Sequence, residues 1–138
     1  MKKFRFIDHT GDLAIEVFGK NLTDLFRNLG EAFTEIITDP KTVRARESRH
    51  ISLKADQIED LLVRWLNELI FLFDTQGFLF KGFDVTLTEY GSLKATGEGE
   101  PYDENRHSIK TTVKGATYHQ LELIQDDGMW KGRVILDL

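Results

Sequence analysis

The sequence predicts an α+β domain: two helices packed on one side of a largely antiparallel or mixed β-sheet. Three observations carry this. Two stretches have helical spacing of apolar residues, about seven others alternate as strands do, and the order of the two kinds is not a strict βαβ repeat. The 138 residues are the length of one domain, and neither proline lies in a linker-like tract, so residues 1–138 are expected to form a single unit.

The elements are justified in chain order. Phe4 to Ile7 reads as a short strand, and Leu13, Ile15 and Val17 alternate through a second. Between them lies the polar turn Asp8-His9-Thr10-Gly11-Asp12. Asn21 caps a helix with Asp24 three residues on, and the apolar set from Leu22 to Ile37 keeps helical spacing until Pro40 blocks it. Lys41 to Arg49 is basic and is expected to form a loop leading to a strand at His50–Lys54. Asp56 is the expected cap of a second helix, with Leu62, Trp65, Leu66, Leu69, Ile70 and Phe73 as its buried stripe and Gly77 as its stop. Strands are then expected around Phe83–Leu87, Leu93–Thr96, Ser108–Lys114, Tyr118–Ile124 and Lys131–Leu138. Tyr90-Gly91 and Asp127-Gly128 read as turns, and Gly97–Arg106 as a loop.

Composition narrows the function. Net charge is −5, from 23 acidic and 18 basic side chains, which disfavours strong stand-alone nucleic-acid binding and suits a metal site or a basic protein partner. The chain has no cysteine, so disulfides and thiolate metal sites are excluded. No apolar stretch reaches the ~20 residues of a membrane span, and the N-terminus lacks a signal-peptide pattern. A cytoplasmic protein is expected. Phosphate-cradling loops, the H-E-x-x-H pattern and a serine elbow are all missing.

Three groups of residues could carry chemistry. Asp8, His9 and Asp12 crowd one inter-strand loop, where binding residues concentrate; an Asx-type turn is the structural alternative. Asp137 stands beside the α-carboxylate of Leu138, an arrangement that suits a hard cation but is also that of an ordinary strand end. Pairing of Asp137 with Arg133 is a further option. His107, Lys110, Lys114 and His119 scatter over the β-rich half, each read as a sheet-surface residue, although His9, His107 and His119 with an aspartate could supply nitrogen ligands. Glu98, Glu100, Asp103 and Glu104 read as a solvated acidic loop or a contact for a basic partner.

The stretches Asp8-His9-Thr10-Gly11-Asp12-Leu13-Ala14-Ile15-Glu16-Val17, Asp60-Leu61-Leu62-Val63-Arg64-Trp65-Leu66-Asn67-Glu68-Leu69, Gly99-Glu100-Pro101-Tyr102-Asp103, Thr117-Tyr118-His119 and Arg133-Val134-Ile135-Leu136-Asp137-Leu138 together resemble the archease family. The resemblance runs from end to end. It departs at Gly11, where many members carry alanine, and no departure removes a site residue.

The resemblance implies an accessory factor, not an enzyme. Its partner would be the GTP-dependent tRNA-splicing RNA ligase that joins 2′,3′-cyclic-phosphate and 5′-hydroxyl ends, whose guanylylation and turnover it would promote. A role as a chaperone that modulates a tRNA methyltransferase is the other implied reading. The resemblance also implies a divalent cation, calcium or else magnesium, held by Asp12, Asp137 and the terminal carboxylate of Leu138. His9 is expected to orient Asp12, Lys114 or His119 to meet the partner, and Asp8 to support the loop. A metal-dependent hydrolase using Asp8, His9, Asp12 and Asp137 is the enzymatic rival.

Overall fold

A computed structural model describes residues 2–89 and 91–138, except for the side chains of His9 and Glu89. In chain order the elements are β1 (Phe4–His9), β2 (Asp12–Gly19), α1 (Leu22–Ile37), a 3-10 turn (Pro40–Thr42), β3 (Glu47–Lys54), α2 (Ile58–Gln76), β4 (Phe78–Glu89), β5 (Ser92–Pro101), β6 (Gly115–Asp126) and β7 (Met129–Asp137). The α+β class and the two helices are as the sequence predicts, and of the eight stretches expected to be strands seven form one. The strands sort into two sheets, ordered β1-β2-β7-β6 and β3-β5-β4, and every pairing is antiparallel.

Both helices touch both sheets, so one core serves the whole fold. In α1 the side chain of Asn21 accepts from the Asp24 amide at 2.8 Å, closing the N-terminus as expected. Leu25, Phe26, Leu29, Phe33 and Ile37 fill the buried face. In α2 the buried stripe is anchored by Trp65, whose indole N–H donates to the Phe26 carbonyl at 2.9 Å and ties the two helices together. Gly77 ends α2 in the left-handed region at φ 63°, where a side chain would be strained.

Three expectations need correction. The cap of α2 is Gln57 and not Asp56; it has no side-chain cap bond, and Glu59 and Asp60 in the first turn complement the helix dipole instead. Gly97–Glu100 belongs to β5 and not to a loop. A Cβ at Gly97 would lie 2.4 Å from the Phe80 ring and one at Gly99 only 1.9 Å from the Leu79 carbonyl oxygen, so the glycines admit β4 at close quarters. Residues 108–114 are not a strand. Their backbone is fastened to the end of α1, through Lys110 N–H to the Ile37 carbonyl (2.7 Å) and the Thr38 hydroxyl to the Ser108 carbonyl (2.8 Å).

Two hairpins set the edges of the first sheet. Thr10-Gly11 joins β1 to β2 with Gly11 at φ 79°, and Asp127-Gly128 joins β6 to β7 with both residues at positive φ, as the type I′ expectation requires. The expected Tyr90-Gly91 turn falls partly outside the described residues, at Tyr90.

Candidate functional site

Strand β2 lies between β1 and β7, and its register with β7 places Asp12 directly opposite Asp137. The Leu138 amide donates to the Gly11 carbonyl at 3.3 Å, which brackets Asp12 and Asp137 as a non-hydrogen-bonded pair. In such a pair the side chains stand on one face at their closest, with Cβ atoms about 4.5–5.5 Å apart. That face is opposite to the core side of the sheet, where Leu13, Ile15 and Val17 meet the helices. Asp12 Oδ1 is buried and has no hydrogen-bond partner; the other such side-chain atom among the described residues is Arg133 Nε, in the same sheet. An unsatisfied buried carboxylate oxygen beside a second carboxylate is costly, and a hard cation relieves both penalties at once. The donor set therefore fits a divalent cation.

The other predicted residues separate on geometry. Lys114 is brought to the pair: its amide donates to the Asp137 carbonyl at 2.8 Å and its side chain is exposed. Asp8 is not, because its register partner is Leu13 and strand alternation turns it to the face away from Asp12. The side chain of His9 lies outside the described residues. His119 is exposed within the irregular stretch of β6 between Thr117 and Glu122, facing the Arg133–Ile135 part of β7 and not Asp137. Arg133 does not take up Asp137; its Nη2 donates to the Gln120 side chain at 3.2 Å. Among the described residues no three His, Asp or Glu side chains converge, so His107 and His119 are not part of a nitrogen-ligand cluster there.

Four residues along β2 from Asp12, on the same face, Glu16 is buried between cations. It accepts from Arg5 Nε and lies 3.4 Å from Lys131 Nζ; the Arg5 hydrogen bond, helped by Lys131, holds its carboxyl below the usual range. One sheet face thus carries an uncompensated acidic end and a compensated ladder further in.

A second polar cluster escapes sequence reasoning. Glu100 is buried, where a solvated loop acid was expected, and His107 is buried, where a sheet-surface residue was expected. Glu100 accepts from the Arg106 guanidinium, from the Arg44 amide (2.8 Å) and from His107 Nε2 (3.0 Å). The Arg106 hydrogen bond, then those of Arg44 and His107, outweigh burial and bring its pKa down to about 2. His107 Nδ1 accepts the Asp103 amide at 2.9 Å, so the ring proton sits on Nε2 and points at Glu100. Neither nitrogen is left for chemistry. The cluster clasps the 102–107 segment onto β5 as a structural fastening. The stretch 99–103 carries part of the family resemblance, but no local signal shows that Glu100 is buried against Arg106 and His107.

The geometry defines a small two-sheet α+β domain with a paired-carboxylate tip. A family model for the archease protein family matches residues 4–138, and the chain belongs to that family. It is 38% identical to the archease of Methanothermobacter thermautotrophicus, with all of both chains covered. To that of Sulfurisphaera tokodaii it is 36% identical, over 89% of each chain. The solution structure of Methanobacterium thermoautotrophicum protein 1598 superposes with a TM-score of 0.86 at 38% identity, covering both chains completely. A Thermotoga maritima archease, described as a possible chaperone, shares the fold with a TM-score of 0.67 at 21% identity, over 96% of this chain and 94% of that one.

Proposed function

We propose that this protein is an accessory activator of the GTP-dependent tRNA-splicing RNA ligase, working in the cytoplasm through a divalent cation, calcium or magnesium, at its acidic tip. Asp12, Asp137 and the carboxylate of Leu138 would hold the cation, and Lys114 would meet the partner beside it. The observation that carries this reading is the carboxylate pair, with Asp12 Oδ1 buried and unpartnered. Bound there, the cation would supply positive charge against the triphosphate on which ligase guanylylation depends. The protein itself would catalyse no reaction. The sheet holds the two aspartates in place, and the exposed tip presents them to the partner.

Multiple-turnover RNA ligation by a matched ligase with GTP tests this. The wild-type protein is expected to restore turnover and a folded Asp12→Asn variant is not. Equal stimulation by both would remove the acidic tip from the mechanism. One residue appended after Leu138 is expected to weaken cation binding; unchanged affinity would take the terminal carboxylate out of the ligand set.

The second reading is a chaperone-like module that modulates a tRNA methyltransferase. It draws on the description of the Thermotoga protein as a possible chaperone and on the exposed Phe71 and Tyr118, apolar contacts that no described residue covers. Suppression of methyltransferase aggregation, without any effect on ligation, would favour it.

A further inference from the structure

The chain carries net charge −5, yet residues 41–54 hold five cationic side chains (Lys41, Arg44, Arg46, Arg49, Lys54) against one carboxylate, Glu47. The strand β3 divides this charge between its two faces. Arg49 is on the inner one, its guanidinium 4.2 Å from the centre of the Phe78 ring and bonded to Gln76, whereas Lys54 and, just ahead of the strand, Arg46 take outward positions. Arg46 N–H continues its ladder by donating to the Gly99 carbonyl at 3.0 Å, and Arg46, Ser48, His50, Ser52 and Lys54 are all exposed. Ile51 and Leu53 turn the other way into the core. Alternation therefore aligns the exposed set along the outer face of the β3-β5-β4 sheet, at about 6.6 Å per pair of residues and over about 26 Å.

Register brings further polar groups beside them. Thr96 stands opposite His50 and Lys94 opposite Ser52 on β5; Thr86 stands opposite Lys94 on β4. A shallow depression of about 330 Å³ opens among them. Among the described side chains two carboxylates share the face, Glu98 opposite Ser48 and Asp84 on the far strand. Among the described residues Lys94 and Arg44 make no side-chain ion pair, and Arg46 makes only a 3.9 Å approach to Glu100.

We infer that this face binds the phosphate backbone of an RNA strand, weakly and without sequence preference. Lysine, arginine and hydroxyl side chains are the groups that contact phosphate and sugar, and serine and threonine can also meet a ribose 2′-hydroxyl. A protein partner fits less well. Interfaces between proteins are anchored by buried aromatic or apolar side chains, and among the described residues the large exposed ones (Phe6, Phe71, Tyr102, Tyr118, Ile124) all lie outside these three strands. The absence of aromatic rings from the described face also argues against base stacking, which leaves backbone contacts as the source of affinity. The surface is in the other sheet from Asp12 and Asp137, and the inference does not depend on the ligase reading.

The test is fluorescence anisotropy with a labelled, unstructured RNA of ~20 nucleotides, titrated at several salt concentrations. About four phosphate contacts predict a slope of log affinity against log salt near −2.8, and so about 50-fold weaker binding at ~200 mM than at ~50 mM salt. The double variant Arg46→Gln/Lys94→Gln should lower the slope to about −1.4 while keeping its thermal midpoint; a merely structural role for these residues would not move the slope. Lys20→Gln, which removes equal charge per site elsewhere, should leave the slope unchanged. DNA of the same sequence should bind more weakly. No binding at ~50 mM salt, an equal effect of Lys20→Gln, equal affinity for DNA, or tighter binding of polyglutamate would each overturn the inference. Asp12→Asn should bind RNA as the wild type does, so failure here and failure of the cation reading are separable.

Discussion

Asp12 and Asp137 face each other across the β2–β7 ladder, although 124 residues separate them in the chain. Their proximity exists only when the first sheet is assembled, so a cation held between them binds the folded state and not the unfolded one. By mass action, calcium or magnesium at about 100 times its dissociation constant should stabilise the protein by about 2.7 kcal/mol. A thermal melt with and without the ion checks this: the wild-type midpoint should rise and that of Asp12→Asn should not.

The same pair predicts an opposite effect without metal. Like charges directly opposite in a sheet are destabilising by roughly 0.2–1 kcal/mol. In chelator, Asp137→Asn should therefore melt at or slightly above the wild-type temperature. A clear loss of stability would mean that Asp137 is paired in solution by a group other than a cation.

Glu100 supplies a pH signature. Its folded pKa of about 2 lies below the ordinary 4.5, so its contribution is fully present above about pH 4.5 and is lost as pH falls toward 2. The contribution is on the order of 3 kcal/mol. Urea denaturation of Glu100→Gln against wild type should show a stability gap near that size at pH 7, closing steadily between pH 4.5 and 2. A gap independent of pH would show that lost packing, and not lost charge, is what matters.

Gly99→Ala should be among the most damaging small substitutions in the chain, since the added Cβ meets a backbone oxygen at 1.9 Å and no side chain can yield. A loss of roughly 2–4 kcal/mol is expected by urea denaturation. Gly128→Ala, where nothing lies within 4 Å, should cost only the left-handed backbone strain, about 1 kcal/mol.

Much of this architecture is legible in the sequence, for local reasons. Asn21 with Asp24 marks the start of α1, Gly77 marks the end of α2, and Asp127-Gly128 makes its hairpin. These signals act over a few residues, where propensity and capping dominate. What the residues hide is long-range. Gly97 and Gly99 read as loop because their purpose is to admit Phe80 and Leu79 from a neighbouring strand. Residues 108–114 read as strand because nothing local reveals that their hydrogen bonds go to the end of α1. Glu100 reads as a solvated acid because its partners arrive from Arg44, Arg106 and His107. At the candidate site, Asp12 and Asp137 stand out in the sequence, Lys114 enters only through the resemblance and only as an alternative to His119, and the fold sets all three side by side. Asp8 stands out as much, but strand parity puts it on the other face.

The position of β2 between β1 and β7 has a consequence for synthesis. Its first neighbour is made immediately before it, through the Thr10-Gly11 hairpin. Its second is not complete until residue 137, which at roughly 5–20 residues per second leaves that edge open for roughly 6–24 s on the ribosome. During that interval Leu13, Ile15 and Val17 depend on α1 for cover, while an unpaired row of backbone donors and acceptors stays available to any other extended chain nearby. The nascent protein is thus most exposed to mispairing along the strand that later holds Asp12.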